Sequence, residues 1–175
     1  WSMAFKQFIS PHVHPRSLDT GSVPAAFVNR AVELGAPAIA CTDHGSVSCC
    51  RNIASLARKA GIFAIPGTEA YFRDDDCPIL TGGGVEKNGT KYDAYNRYYH
   101  VTLHAADHAA YMALVRSLSQ ADARGEQHGS ERKPLMNWGM LEELGQHKVT
   151  GTSGCLIGMV SRHLLSGRPD IAVSY

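Results

Sequence analysis

A chain of 175 residues, 44% hydrophobic and 19% charged with a formal net charge of +1, has the make-up of a globular domain with a real core. No apolar run approaches the roughly 20 residues that span a bilayer and no signal peptide is visible, so the expectation is a cytoplasmic protein with no membrane partner. The near-neutral charge excludes a strongly basic nucleic-acid module, though not a small basic groove, and five cysteines with Cys49 and Cys50 adjacent suit a reducing compartment.

The first predicted element is a strand over Phe8–Val13. Alternation along it points His12 and His14 to one face, and two converging imidazoles are good material for a divalent metal. A lone HxH is equally at home as one buried and one solvated histidine. Val23-Pro24 then opens a helix through about Leu34, which Gly35 stops. PAIAC (Pro37–Cys41) is a short apolar run of the kind buried in a parallel sheet, and a helix from about Val47 to Ala60 follows. Ile62–Ile65 is another apolar strand, continued by Glu69–Phe72 after an expected turn at Pro66-Gly67.

Residues 73–98 break the rhythm. They are polar and glycine-rich, with an Asn88-Gly89 pair that favours a hairpin, and read as an insertion over one end of the domain. Alternation resumes with a strand over Tyr98–His104 and a helix over Asp107–Ser119 capped by Asp107. Residues 120–134 read as a polar loop, Trp138–Leu144 as a short helix, Lys148–Thr152 as a strand and Leu156–Leu165 as a helix ended by Gly167. Pro169-Asp170 starts one more. Repeated βα units over a single domain, residues 1–175, predict a parallel α/β fold, either a barrel or a doubly wound sheet.

The ligand-type residues fall just after the predicted strands. His12, His14 and Asp19 follow the first; Asp43 and His44 follow PAIAC; Glu69 follows FAIP; His100 and His104 lie on the fourth; Cys155 follows KVTGT. In a βα barrel those strand ends meet on one face, where active sites of such folds lie. Imidazoles mixed with hard oxygen donors and a thiolate suit zinc, manganese or iron better than magnesium or calcium. A carboxylate such as Glu69 can bridge two cations, an arrangement suited to hydrolysing phosphate esters. His108, His128, His147 and His163 are expected in solvent. Cys41, Cys49, Cys50 and Cys77 show no ligand spacing and are expected to be structural.

Taken in order, HVHPRSLDTG, TDHG, GTEAY, YYHVTLHA, KPLMNWGMLEEL and SGCLIG resemble the N-terminal PHP (polymerase and histidinol phosphatase) domain of bacterial or phage DNA polymerase III alpha subunits, over about Phe5–Gly167. The resemblance implies a distorted, TIM-like (βα)7 barrel with two or three divalent ions, zinc or manganese before iron. It implies His12, His14, Asp19, His44, Glu69, His100 and Cys155 as metal ligands, with Asp43 orienting His44. Glu69, His14 and His44 would also carry the catalysis. Counterparts of the family's last Asp and His are missing, so the barrel is expected to be truncated before its last strands. The implied activity is a phosphoesterase of the 3′–5′ exonuclease type acting on a DNA 3′ end. The implied partners are the thumb and palm of a polymerase chain and a proofreading subunit. A catalytically silent replicase domain and a stand-alone PHP phosphatase are the alternatives.

Overall fold

A computed structural model of the chain describes residues 8–16, 20–74, 85–87, 90–92, 98–128, 131–165 and 167–173. The elements in chain order are α1 (Pro24–Glu33), β1 (Ala38–Cys41), α2 (Cys50–Lys59), β2 (Phe63–Phe72), β3 (Val85–Lys87), β4 (Thr90–Tyr92), β5 (Tyr99–Ala105) and α3 (His108–Arg124). They continue with β6 (Glu126–His128), β7 (Glu131–Lys133), β8 (Leu135–Met136), α4 (Trp138–Gly145), β9 (Val149–Thr152), α5 (Met159–Leu165) and α6 (Pro169–Ala172). None of the described helices is long and apolar enough to cross a membrane.

The main sheet has the order β1-β2-β5-β9, and β8 pairs with the far end of β2. Strand β2 is its axis. Its first residues run parallel to β1, from Ala38↔Phe63 to Cys41↔Pro66, and its last six run antiparallel to β5, from Gly67↔His104 to Phe72↔Tyr99. The turn expected at Pro66-Gly67 is absent because the strand changes partner there. Pro66, which has no N–H to give, stands where the β1 ladder ends. A Cβ at Gly67 would fall on the Leu103 carbonyl, so glycine lets β5 come alongside.

The α/β class stands, but the sheet is mixed, with β5 antiparallel to both β2 and β9. A parallel return would need a crossover, usually a helix. The connection from β2 to β5 carries the β3–β4 hairpin instead, and no helix among its described residues. The stretch expected as a loop, 120–134, carries regular elements. Ala121 extends the buried stripe of Ala110, Ala113, Leu114, Ser117 and Leu118, which carries α3 past Ser119 to Arg124, and β6 and β7 then pair as a second hairpin.

The expected first strand is not one. Val13 alone of its described residues pairs with Thr42: its N–H donates to Thr42 Oγ1 (2.8 Å) and its carbonyl accepts the Thr42 N–H (2.9 Å). Pro11 and Pro15 flank the histidines and remove two ladder donors.

Two apolar clusters fix the sheet. Val28, Ile39, Cys41, Cys50, Ile53 and Ala57 join α1 and α2 to β1, while Phe72, Val101, Leu103, Leu114, Met136 and Leu144 join α3 and α4 to β2 and β5. Ile53, Phe72 and Leu114 are fully buried, and each contributes about 1.5–3 kcal/mol of burial.

Candidate metal centre

Glu69 lies mid-way along β2, and its carboxylate is the centre of the cluster. Oε2 is 3.3 Å from His12 Nε2, 3.2 Å from His14 Nε2 and 2.9 Å from His44 Nδ1. Oε1 is 3.2 Å from His100 Nδ1. His12 Nε2 and His14 Nε2 are themselves 2.9 Å apart, and Cys155 Sγ is 3.3 Å from His100 Nδ1.

The backbone explains the convergence. His100 stands opposite Tyr71 across the β2–β5 ladder, so it shares a face with Glu69, two residues along β2. His44 forms a parallel bridge with Glu69 just beyond β1, and Gly45 N donates to the Glu69 carbonyl at 2.8 Å. Thr68 Oγ1 donates to the Asp43 carbonyl and accepts the Ser46 N–H, holding that loop against the strand. Gly154, at φ +70°, turns the chain after β9 so that Cys155 faces His100; a Cβ there would come within 3.4 Å of Glu69 Oε1.

The carboxylate is almost wholly buried. Burial by itself would push its pKa up, but the imidazoles of His100, His12, His14 and His44 hold it well below the usual carboxylate range. Burial pushes the Cys155 thiol up; the Ile157 N–H opposes this and Glu69 adds to it.

The approaches to Glu69 lack hydrogen-bond geometry, unlike the His12–His14 and His100–Cys155 contacts. Both Glu69 oxygens, His14 Nδ1 and His100 Nε2 are buried without a hydrogen-bond partner among the described residues. Such atoms are costly unless something else satisfies them. Donor atoms crowded within about 3 Å of each other but aimed past one another fit a cation between them. Two triplets, His12–His14–Glu69 and His44–Glu69–His100, could each hold a metal ion, with Glu69 common to both.

Six of the seven expected ligands therefore come together; Asp19 lies outside the described residues, as does Cys77. Asp43 accepts the Arg16 N–H at 3.0 Å and so braces the segment that carries His14. His104 shares the face of His100, and its Nε2 is bonded to the Pro11 carbonyl at 2.6 Å, which anchors the HxH segment to β5. His163, expected in solvent, is buried against Tyr99 (Nε2 to OH 3.2 Å), because α5 folds back over β5. Tyr71 and Tyr98 wall the centre. The Tyr71 ring stacks on His44 and meets His100 edge-on, and Tyr98 stacks on His100. Period-two spacing from Glu69 to Tyr71 was the signal for the first of them.

Residues 11–175 match the family model described as the PHP domain. The chain belongs to the PHP domain family. It is 28% identical to the DNA polymerase III subunit alpha of Saccharopolyspora erythraea over 174 residues, 93% of this chain and 14% of that protein. It is 32% identical to the Deinococcus radiodurans subunit over 138 residues, 78% of this chain and 9% of that protein. This PHP chain thus spans a small part of those relatives' length. Among solved structures, a proposed metal-dependent phosphoesterase from Bifidobacterium adolescentis aligns with a TM-score of 0.45 and 19% identity, covering 67% of this chain and 34% of that one.

Proposed function

We propose that this PHP domain is a metal-dependent phosphoesterase of the polymerase branch, which hydrolyses the phosphodiester at a DNA 3′ end. The observation that carries the reading is the buried carboxylate of Glu69, whose oxygens have no hydrogen-bond partner among the described residues, inside four imidazoles and next to a thiol. His12, His14, His44, Glu69, His100 and Cys155, with Asp19, would hold two or three divalent ions, zinc or manganese. When bound, such ions supply the Lewis acidity and water activation that phosphoester hydrolysis needs.

The chain's own residues do the rest. Glu69 is common to both halves of the site, with Oε2 towards His12, His14 and His44 and Oε1 towards His100, and keeps its negative charge. His14 and His44, stacked at 4.4 Å between ring centroids, each turn one nitrogen to Oε2, and His44 can hold or pass a proton at Nε2, the nitrogen not turned to it. A cavity of about 520 Å³ begins at His44 and Asp43 and is lined also by Arg16, Arg132 and Lys133, a basic wall for a phosphate backbone. Lys133 Nζ lies 4.8 Å over the Tyr71 ring, which sets it beside the centre. The rest of a polymerase chain and a proofreading subunit are the proposed protein partners, since the alpha-subunit relatives carry this region as a small part of their length.

The test is metal-dependent release of nucleotides from a 3′-labelled single strand and from a mispaired primer, beside hydrolysis of p-nitrophenyl phosphate. DNA trimming that E69Q abolishes supports the reading. Activity on the small ester alone favours a phosphatase, and none on either substrate with metal bound favours a structural domain.

A further inference from the structure

A second group of ligand-type atoms lies behind the histidine–glutamate centre. Cys41 ends β1, Asp43 follows it in the loop, and Cys49 directly precedes α2. The strand end and the helix start bring the Sγ atoms of Cys41 and Cys49 and a carboxylate oxygen of Asp43 within 4.8 Å of one another. All three residues are buried, with exposures of 1%, 1% and 4% in that order. Neither cysteine is in a disulfide. Asp43 spends Oδ1 on the Arg16 N–H, while Oδ2 is buried with no hydrogen-bond partner among the described residues. Cys50, the neighbour in sequence, places its Sγ on the Gly67 carbonyl at 3.4 Å and on the Cys41 carbonyl at 3.9 Å, beside the Cys41 thiol.

We propose that Cys41, Asp43 and Cys49 bind a thiophilic divalent cation, zinc or cadmium in its chemistry, at a site separate from the Glu69 centre. Two sulfur ligands select soft or borderline metals over magnesium and calcium. Two thiolates and a carboxylate outweigh the charge of a dication by one, and coordination satisfies Oδ2, which is otherwise a buried polar atom at a loss. Three protein ligands leave a fourth position, and Asp43 also lines the cavity of about 520 Å³ shared with Arg16, His44 and Ser48, from which water can complete the set. Binding releases the thiol protons to solvent. Because Asp43 and His44 are adjacent, the two centres share one loop, so loading this site stiffens the position of His44.

The spacing hid this site. Cys41 and Cys49 are eight apart with no CxxC, and only the turn from β1 into α2 makes them neighbours.

The test uses the Cys155→Ser chain, which removes the only expected thiol of the Glu69 centre. Stripped of metal and titrated with Cd²⁺, it is expected to bind with sulfur-to-cadmium charge-transfer absorption. Adding Cys49→Ala should abolish that absorption, and adding Asp43→Asn, which keeps both thiols, should weaken binding by at least about tenfold. Far-ultraviolet circular dichroism identifies a variant that fails to fold, in which case the Cys155→Ser and Asp43→Asn titrations decide. No sulfur absorption in Cys155→Ser, or absorption unchanged by Cys49→Ala or Asp43→Asn in a folded chain, overturns the proposal. None of these readouts depends on DNA cleavage.

Discussion

His44 and Glu69 are joined twice, once through the backbone and once through their side chains. The parallel bridge between them, closed by Gly45 N on the Glu69 carbonyl at 2.8 Å, sets the 2.9 Å approach of Nδ1 to Oε2. Gly45 makes this possible with φ at +56°, in a space where a Cβ would meet Pro134 Cγ and Tyr71 Cε2 at 2.8 Å each. Gly45→Ala is therefore expected to cost about 1–3 kcal/mol and to displace His44. Urea denaturation beside Gly61→Ala checks the steric part, because Gly61 shares a positive φ (+75°) but has nothing within 4 Å of its Cβ position. Equal losses at the two glycines would show that backbone strain alone matters.

Glu69→Gln and His104→Gln separate a ligand from an anchor. The amide keeps the shape of Glu69 but loses its charge and one good donor oxygen, so metal affinity should fall by at least about 100-fold. His104 touches the centre only through the Pro11 carbonyl, and its loss loosens His12 and His14. A fall of about tenfold is expected there. Titration calorimetry with Zn²⁺ or Mn²⁺ reads both, and equal losses would mean that Glu69 is not shared between ions.

His163 ties stability to pH. Burial pushes its imidazole below the ordinary value of 6.5, Arg168 adds to this, and Asp74 and Asp170 oppose it. A base depressed in the fold stays neutral at a pH where the unfolded chain already binds a proton. Between the folded value and 6.5 the unfolded state therefore holds more protons, and stability rises with pH. Above that window the contribution is constant; acidification through it removes the stability. The slope from this one group is at most about 1.4 kcal/mol per pH unit. Denaturation midpoints of the unaltered chain and His163→Gln should diverge most above pH 6.5 and converge on acidification. A gap that does not change with pH would exclude His163 as the cause.

What the sequence could show of this molecule depended on how local the signal was. HVH, TDH and GTE each carry their ligands in a short local pattern, so the ligand set could be assembled from sequence alone; that HVH lies on no strand and Glu69 sits inside β2 could not. The direction of β5 could not, because strand polarity depends on whether the intervening chain crosses over, and residues 73–98 carry no periodicity that says so. Pro66-Gly67 looks like a turn in any single sequence; only the change of partner from β1 to β5 makes it mid-strand. His163 was missed for a related reason. Its neighbour, Tyr99, comes from β5, which α5 meets only after the sheet is formed.

Metal binding should be visible as folding stability. Glu69 and His100 have buried polar atoms with no hydrogen-bond partner among the described residues, and imidazole nitrogens of His12 and His14 lie 2.9 Å apart. A cation that binds the folded centre and not the unfolded chain stabilises by about 2.7 kcal/mol at a hundred times its dissociation constant. For a chain of this size each kcal/mol is worth about 2–4 °C, so the melting midpoint should rise by about 5–11 °C on saturation. The same rise, read with Mn²⁺, which a two-thiol site disfavours, should be missing in Glu69→Gln and nearly intact in His147→Gln, whose histidine follows α4. Differential scanning calorimetry of chelator-stripped and reloaded protein measures it. A midpoint that ignores the metal, or a Glu69→Gln chain that gains as much as the unaltered one, would show that Glu69 and its histidines are not where the cation binds.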